Sequence, residues 1–105
     1  MQPTTKTAIG TSFFGSNIYT TVEQLRQILG TPSCEDNTGD DKVNFEWEME
    51  TKTGDVFTVY DWKEYRELPE DETFCFHIGG FSSAVTELAR FEMLEAFEKI
   101  TELND

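Results

Sequence analysis

The sequence predicts an α+β domain spanning residues 1–105, in which a mainly antiparallel four-stranded sheet, ordered β-α-β-β-β-α, carries two helices on one face. Three observations lead there. Lys42–Glu50 alternates apolar and polar residues up to a turn, Val56–Trp62 returns rich in β-branched and aromatic residues, and Glu72–Ile78 alternates again. Val22–Leu29 and Val85–Leu103 instead repeat apolar residues at helical spacing. A chain of 105 residues is long enough for one packed core and too short for a large enclosed active site.

The hairpin is the most informative stretch. Val43, Phe45, Trp47 and Met49 alternate with Asn44, Glu46, Glu48 and Glu50, and Val56–Trp62 returns with β-branched and aromatic residues. Gly54 as the third loop residue suits a type I turn closed by a left-handed glycine, which places Thr51 opposite Asp55, Met49 opposite Phe57 and Trp47 opposite Val59. Val43, Phe45, Trp47, Met49, Phe57 and Val59 then form the core face. Asn44, Glu46, Glu48 and Glu50 lie on the other face, opposite Trp62, Tyr60, Thr58 and Val56. A Thr53-Gly54 two-residue turn would put Glu48 beside Val59 and is rejected on that ground.

The remaining elements follow in order. Thr7–Phe14 reads as a first strand running into a Gly15-Ser16-Asn17 turn. Thr20-Thr21-Val22-Glu23 and Gln24 form a capping pattern for a short helix whose apolar residues are Val22, Leu25, Ile28 and Leu29, stopped by Gly30-Thr31-Pro32. Ser33–Asp41 and Lys63–Asp71 read as acidic loops. Phe74, Phe76 and Ile78 point from the last strand into the core, Cys75 and His77 point outward, and Gly79-Gly80 turns the chain. Ser82 or Ser83 caps the long helix, whose main stripe is Val85, Ala89, Met93, Ala96, Ile100 and Leu103.

Composition narrows the function. With 21 acidic against 8 basic residues and a net charge of −13, the chain is a poor candidate for direct contact with nucleic acid or an anionic membrane. It suits a basic partner, or high solubility alone. No apolar run approaches a membrane span and no signal peptide is evident, so a cytoplasmic location with reduced Cys34 and Cys75 is expected.

No catalytic constellation stands out. Cys75-x-His77 with Cys34 lacks the four ligands and spacing of a structural zinc site, and adjacent strand residues offer a Cys75 nucleophile no oxyanion hole. Asp36, Asp40 and Asp41 lack the ordered spacing of a calcium loop. The reading is therefore a non-enzyme with no cofactor and no metal. The outward hairpin face, Glu46, Glu48, Glu50, Tyr60, Trp62 and His77, is the candidate partner-binding surface, since aromatics supply binding hot spots and charge steers encounter.

Gly30-Thr31-Pro32, Asp41-Lys42-Val43 before Glu46-Trp47, the Tyr60–Tyr65 run and Phe76-His77-Ile78-Gly79-Gly80 together resemble a family of small proteins encoded by tailed bacteriophages, from Gly10 to about Phe97. The resemblance implies a phage context in the host cell cytoplasm and no catalytic residues. In that context small acidic proteins often bind and inhibit host proteins as counter-defence or anti-CRISPR-like factors, which here means a host protein with a basic nucleic-acid-binding surface, engaged by mimicry of DNA charge. Two alternatives stay open. One is a binder that sequesters a nucleotide defence signal, with Tyr60, Trp62 and His77 stacking on a base, Gly79-Gly80 amides on a phosphate, and Arg66, Arg90 or Lys63 converging. The other is an accessory to virion or replication assembly.

The long helix poses a separate question. Leu88, Phe91, Leu94 and Phe97 recur every three residues, drifting about 60° per step around a helix of about 3.6 residues per turn, so one sheet cannot bury them all. Phe91 and Leu94 are either ordinary surface residues or a homodimer contact. For a homodimer, screening of the −13 charges makes association tighten with salt. Phe91→Glu with Leu94→Glu is then expected to yield a folded monomer by light scattering. Wild-type protein that is monomeric at high concentration in about 0.5 M salt would rule the contact out.

Overall fold

Thr51 donates its N–H to the carbonyl of Asp55, and Gly54 donates to that of Thr51, both at 2.9 Å, with Gly54 at φ 84°. This is the expected three-residue turn, and the strands it joins pair Glu46 with Tyr60, Trp47 with Val59, Glu48 with Thr58, Met49 with Phe57 and Glu50 with Val56. The structure, a computed structural model, describes the backbone of residues 1–104 and side chains through residue 102. The side chain of Leu103, last in the expected helix stripe, lies outside the described residues.

The elements are β1 (Gln2–Pro3), β2 (Ser12–Thr20), α1 (Val22–Leu29), β3 (Cys34–Glu35), β4 (Phe45–Glu50), β5 (Val56–Tyr60), β6 (Phe74–Gly80) and α2 (Ser83–Asn104). The class is α+β, with two helices and an open antiparallel sheet ordered β1-β4-β5-β6-β2. The sheet has six strands, not four. The two additions, β1 and β3, are two-residue segments paired to β4, too short to leave any periodicity in the sequence.

The core forms as the alternation dictates. Phe45, Trp47, Met49, Phe57, Val59, Phe74, Phe76 and Ile78 join Val22, Leu25 and Leu29 of α1 and Ala89 and Met93 of α2 in one buried cluster. Thr21 caps α1 by accepting the Gln24 N–H at 3.0 Å, and Gly30 ends it at φ 88°. The Trp47 indole N–H then reaches the Gly30 carbonyl at 2.9 Å and fixes α1 to the sheet. Ser82 accepts the Val85 N–H at 3.3 Å at the start of α2. Farther along that helix the buried Glu92 carboxylate accepts the Lys52 N–H, 3.2 Å from each oxygen, which docks the hairpin turn.

Three expectations are corrected. The first strand is Ser12–Thr20, not Thr7–Phe14: Gly15-Ser16-Asn17 forms a bulge, with Gly15 at φ 97°, and the buried Ser16 hydroxyl meets Thr86 of α2 at 3.2 Å. Tertiary contact with α2 keeps those residues in the sheet. Gly79-Gly80 does not turn the chain either. Both glycines end β6, paired to Phe13 and Ser12 on one side and to Thr58 and Phe57 on the other.

The third correction concerns the start of β4. Val43 is only partly buried and sits beside Glu46, Tyr60 and Trp62, whereas Asn44 is buried. The cause is Asp61. Its carboxylate, 0% exposed, accepts the N–H of Asn44 at 2.9 Å, that of Phe45 at 2.8 Å and the Asn44 side-chain amide at 3.1 Å. Successive N–H groups of a regular strand point to opposite sides, so two that meet one carboxylate end the alternation. Asn44 continues the network to the Arg66 carbonyl at 3.0 Å and the Gly39 N–H at 3.1 Å. Asn37 exchanges two hydrogen bonds with the backbone of Leu68, a loop residue buried in the core.

Asp61→Ala strands two backbone donors and one side-chain donor in a buried site. At about 1–3 kcal/mol per orphaned buried group, the expected destabilisation is about 3 kcal/mol or more by urea denaturation, with a smaller loss for Asp61→Asn. A loss under about 1 kcal/mol for the alanine variant would show that the carboxylate does not organise these loops.

Candidate functional site

The helices pack against the apolar side of the sheet, and its opposite side is where the predicted site residues meet. One transverse row runs Glu46, Tyr60, His77, Asn17 across β4, β5, β6 and β2, and the next runs Glu48, Thr58, Gly79, Phe13. Trp62, separated from the end of β5 by Asp61 alone, packs its ring against the first row. Its ring lies 6.1 Å from Tyr60 and 6.4 Å from His77, while Tyr60 and His77 meet edge to face at 5.6 Å. The acidic loops leave Trp62 42% exposed.

Phe13 completes this cluster and was not singled out in the sequence. It stacks on His77 with centroids 4.0 Å apart and planes 12° from parallel. Phe13-Phe14 was legible as strand, but the partner of each ring depends on the bulge between Phe13 and Asn17. Gly79 makes room for the arrangement: a Cβ there would lie 2.6 Å from the Thr58 hydroxyl and 3.5 Å from the Tyr60 ring.

The carboxylates divide into two kinds. Glu50 accepts from Gln2 at 2.6 Å and Thr4 at 2.9 Å, with Lys6 at 3.7 Å, so it anchors the N-terminal segment, and those contacts hold its carboxyl below the usual range. Glu46 and Glu48 have no side-chain hydrogen bond and no ion pair among the described residues. Partial burial, with the neighbouring Glu48, raises the Glu46 carboxyl, and burial followed by the Glu46 charge raises the Tyr60 phenol. Enclosure among the rings lowers His77, which favours the neutral imidazole at neutral pH.

Between the rows lies a groove of about 200 Å³, lined by Ser12, Val43, Glu46, Thr58, Tyr60 and Trp62, with Thr11 and Gly79. Ligand pockets for small organic molecules usually hold about 300–1,000 Å³, so the groove suits a side chain better than a nucleotide. The Gly79 and Gly80 positions are occupied by sheet pairing and form no phosphate cradle. Nor do the basic residues converge: Arg66 pairs with Glu72, Arg90 donates to the Asn17 carbonyl at 3.0 Å, and Lys63 lies over Trp62 at 5.5 Å.

Elsewhere, Cys34 stands beside Glu46 at the sheet edge, remote from Cys75 and His77, and no group of three His, Cys, Asp or Glu residues suited to a metal occurs among the described residues. Phe91 and Leu94 are 60% and 41% exposed on α2, well away from the aromatic rows, and Phe97 packs at the margin of the core. No helix among the described residues is long and apolar enough to cross a membrane. Comparison with family models, curated proteins and solved structures finds no match to this chain.

The shifts of His77 and Glu46 have opposite consequences for stability. Below the ordinary histidine value of 6.5 the unfolded chain takes up a proton that folded His77 resists, so stability falls as pH drops from there toward the folded value. Glu46, whose folded value is raised above 4.5, stabilises the fold most below that value and loses the contribution as pH rises through the folded value. Glu46→Gln should therefore raise the thermal midpoint at pH 7, with the gain shrinking toward pH 4, and His77→Phe should flatten the loss of stability just below pH 6.5. Calorimetry across pH 4–8 checks both, and a Glu46→Gln gain independent of pH would refute the first.

Proposed function

We propose that this chain is a non-enzymatic binding protein that engages a basic protein surface through the open face of its sheet. The observation that carries the reading is the juxtaposition, on a face left open by both helices, of a ring cluster in which Tyr60, Trp62 and His77 meet one another and Phe13 stacks on His77, with the unpaired carboxylates of Glu46 and Glu48. Clustered aromatics give a partner desolvated anchor points, and a net charge of −13 steers a basic partner to them.

The resemblance to small phage proteins supports a biological setting for this proposal: an inhibitor acting in the cytoplasm of an infected cell, which occupies the nucleic-acid-binding surface of a host protein and stands in for the charge of DNA. The nucleotide-sequestering alternative has less support, given the groove volume and the dispersed basic residues.

Immobilised wild-type protein should retain a basic nucleic-acid-binding protein from bacterial lysate at about 50 mM salt and release it by about 0.5 M, where screening shortens the reach of exposed charges to a few ångströms. The combined variant Glu46→Gln, Glu48→Gln, Trp62→Ala should not retain it, and the purified target should lose DNA binding when the wild-type chain is added. Failure to retain any basic protein, or equal retention by the variant, would overturn the proposal.

A further inference from the structure

The groove beside Trp62 has a chemistry more specific than negative charge. The Glu46 carboxylate and the hydroxyls of Ser12, Thr58 and Tyr60 line it, and none makes a side-chain hydrogen bond among the described residues. Such a site offers one carboxylate without a cationic partner, ringed by three hydroxyls that can each accept as well as donate. Glu50, two pleats along the same strand, shows the contrast, because its oxygens are met by Gln2 and Thr4. A partly buried carboxylate with no donor weakens the fold, and an incoming cation relieves that cost.

The aromatic wall narrows the choice of cation. Trp62 already takes ammonium groups near its ring, with Lys42 at 5.9 Å and Lys63 at 5.5 Å from its centroid, so its π-system attracts positive charge. Neither lysine forms an ion pair with Glu46 among the described residues. A planar group with several donors meets both demands, stacking on the indole while its edge reaches a carboxylate, and guanidinium has that form whereas ammonium is a compact point charge.

We infer that the groove is a receptor for a single arginine side chain of the basic partner, with the guanidinium stacked against Trp62 and paired to Glu46. The inference rests on the open-face reading and adds the residue the partner must present. Lys42 and Lys63 act as internal occupants of the indole that the arginine displaces. The groove thus discriminates arginine from lysine, which a diffuse acidic surface does not.

The test is titration of ¹⁵N-labelled protein with a short arginine-rich peptide, its lysine counterpart and its citrulline counterpart, following the indole N–H signals of Trp62 and Trp47 by NMR. The arginine peptide should move the Trp62 signal and leave that of the buried Trp47 in place, with the lysine peptide weaker and the citrulline peptide inert. Glu46→Gln should weaken the arginine peptide about tenfold, as expected for loss of one charge-assisted pair, and Lys42→Ala with Lys63→Ala should tighten it. The unmoved Trp47 signal reports that each variant is folded. Equal binding of the arginine and lysine peptides, or no effect of Glu46→Gln, would overturn the arginine receptor. If the lysate partner still depends on Trp62 in that case, the open-face reading stands alone.

Discussion

The buried carboxylate of Asp61 is the constraint from which the shape of the sheet's open face follows. It accepts the N–H groups of Asn44 and Phe45, so the β4–β5 ladder ends at the Glu46–Tyr60 pair. A carboxylate in the interior is tolerable because donors surround it. Through Asn44 it also holds the loop before β4 to the one after β5. The side chains released from strand geometry at that point, Val43 and Trp62, are those that rise beside the open face and turn a flat sheet into a groove.

The two faces of the sheet obey different rules. On the helical side, Trp47, Phe57, Phe76 and Ile78 are fully buried, and full burial of an apolar side chain contributes about 1.5–3 kcal/mol each, so this side supplies the stability. The open side carries features that a stability criterion alone would remove: a partly buried unpaired Glu46, a Trp62 ring exposed to water, and a His77 whose protonation the surrounding rings oppose. In proteins generally, departures of this kind are concentrated at functional sites.

Much of the fold was legible because the relevant signals are local. The turn type followed from Gly54, and once that was set the two-residue period left a single register that kept charges out of the core. Thr21 and Gly30 bounded α1 for equally local reasons. The misreadings share a cause. Gly15-Ser16-Asn17 and Gly79-Gly80 have turn composition, yet pairing with neighbouring strands and contact with α2 hold them extended. A two-residue strand such as β1 or β3 has no pattern to read, since its identity comes entirely from β4.

By itself the sequence determined the class of fold, the hairpin register, and the division of Glu46, Glu48, Tyr60, Trp62 and His77 from the core residues, all consequences of side-chain periodicity along one strand at a time. Tertiary structure decided what those residues form together. Strand order brought Phe13 onto His77, across a bulge whose size no local pattern specifies. The Asp61 network bent Trp62 and Val43 toward Glu46, and the N-terminal segment engaged Glu50 while leaving Glu46 and Glu48 unpaired. Periodicity assigns a residue to a face, whereas its neighbours on that face come from segments distant in the chain, and only the assembled sheet brings them within contact distance.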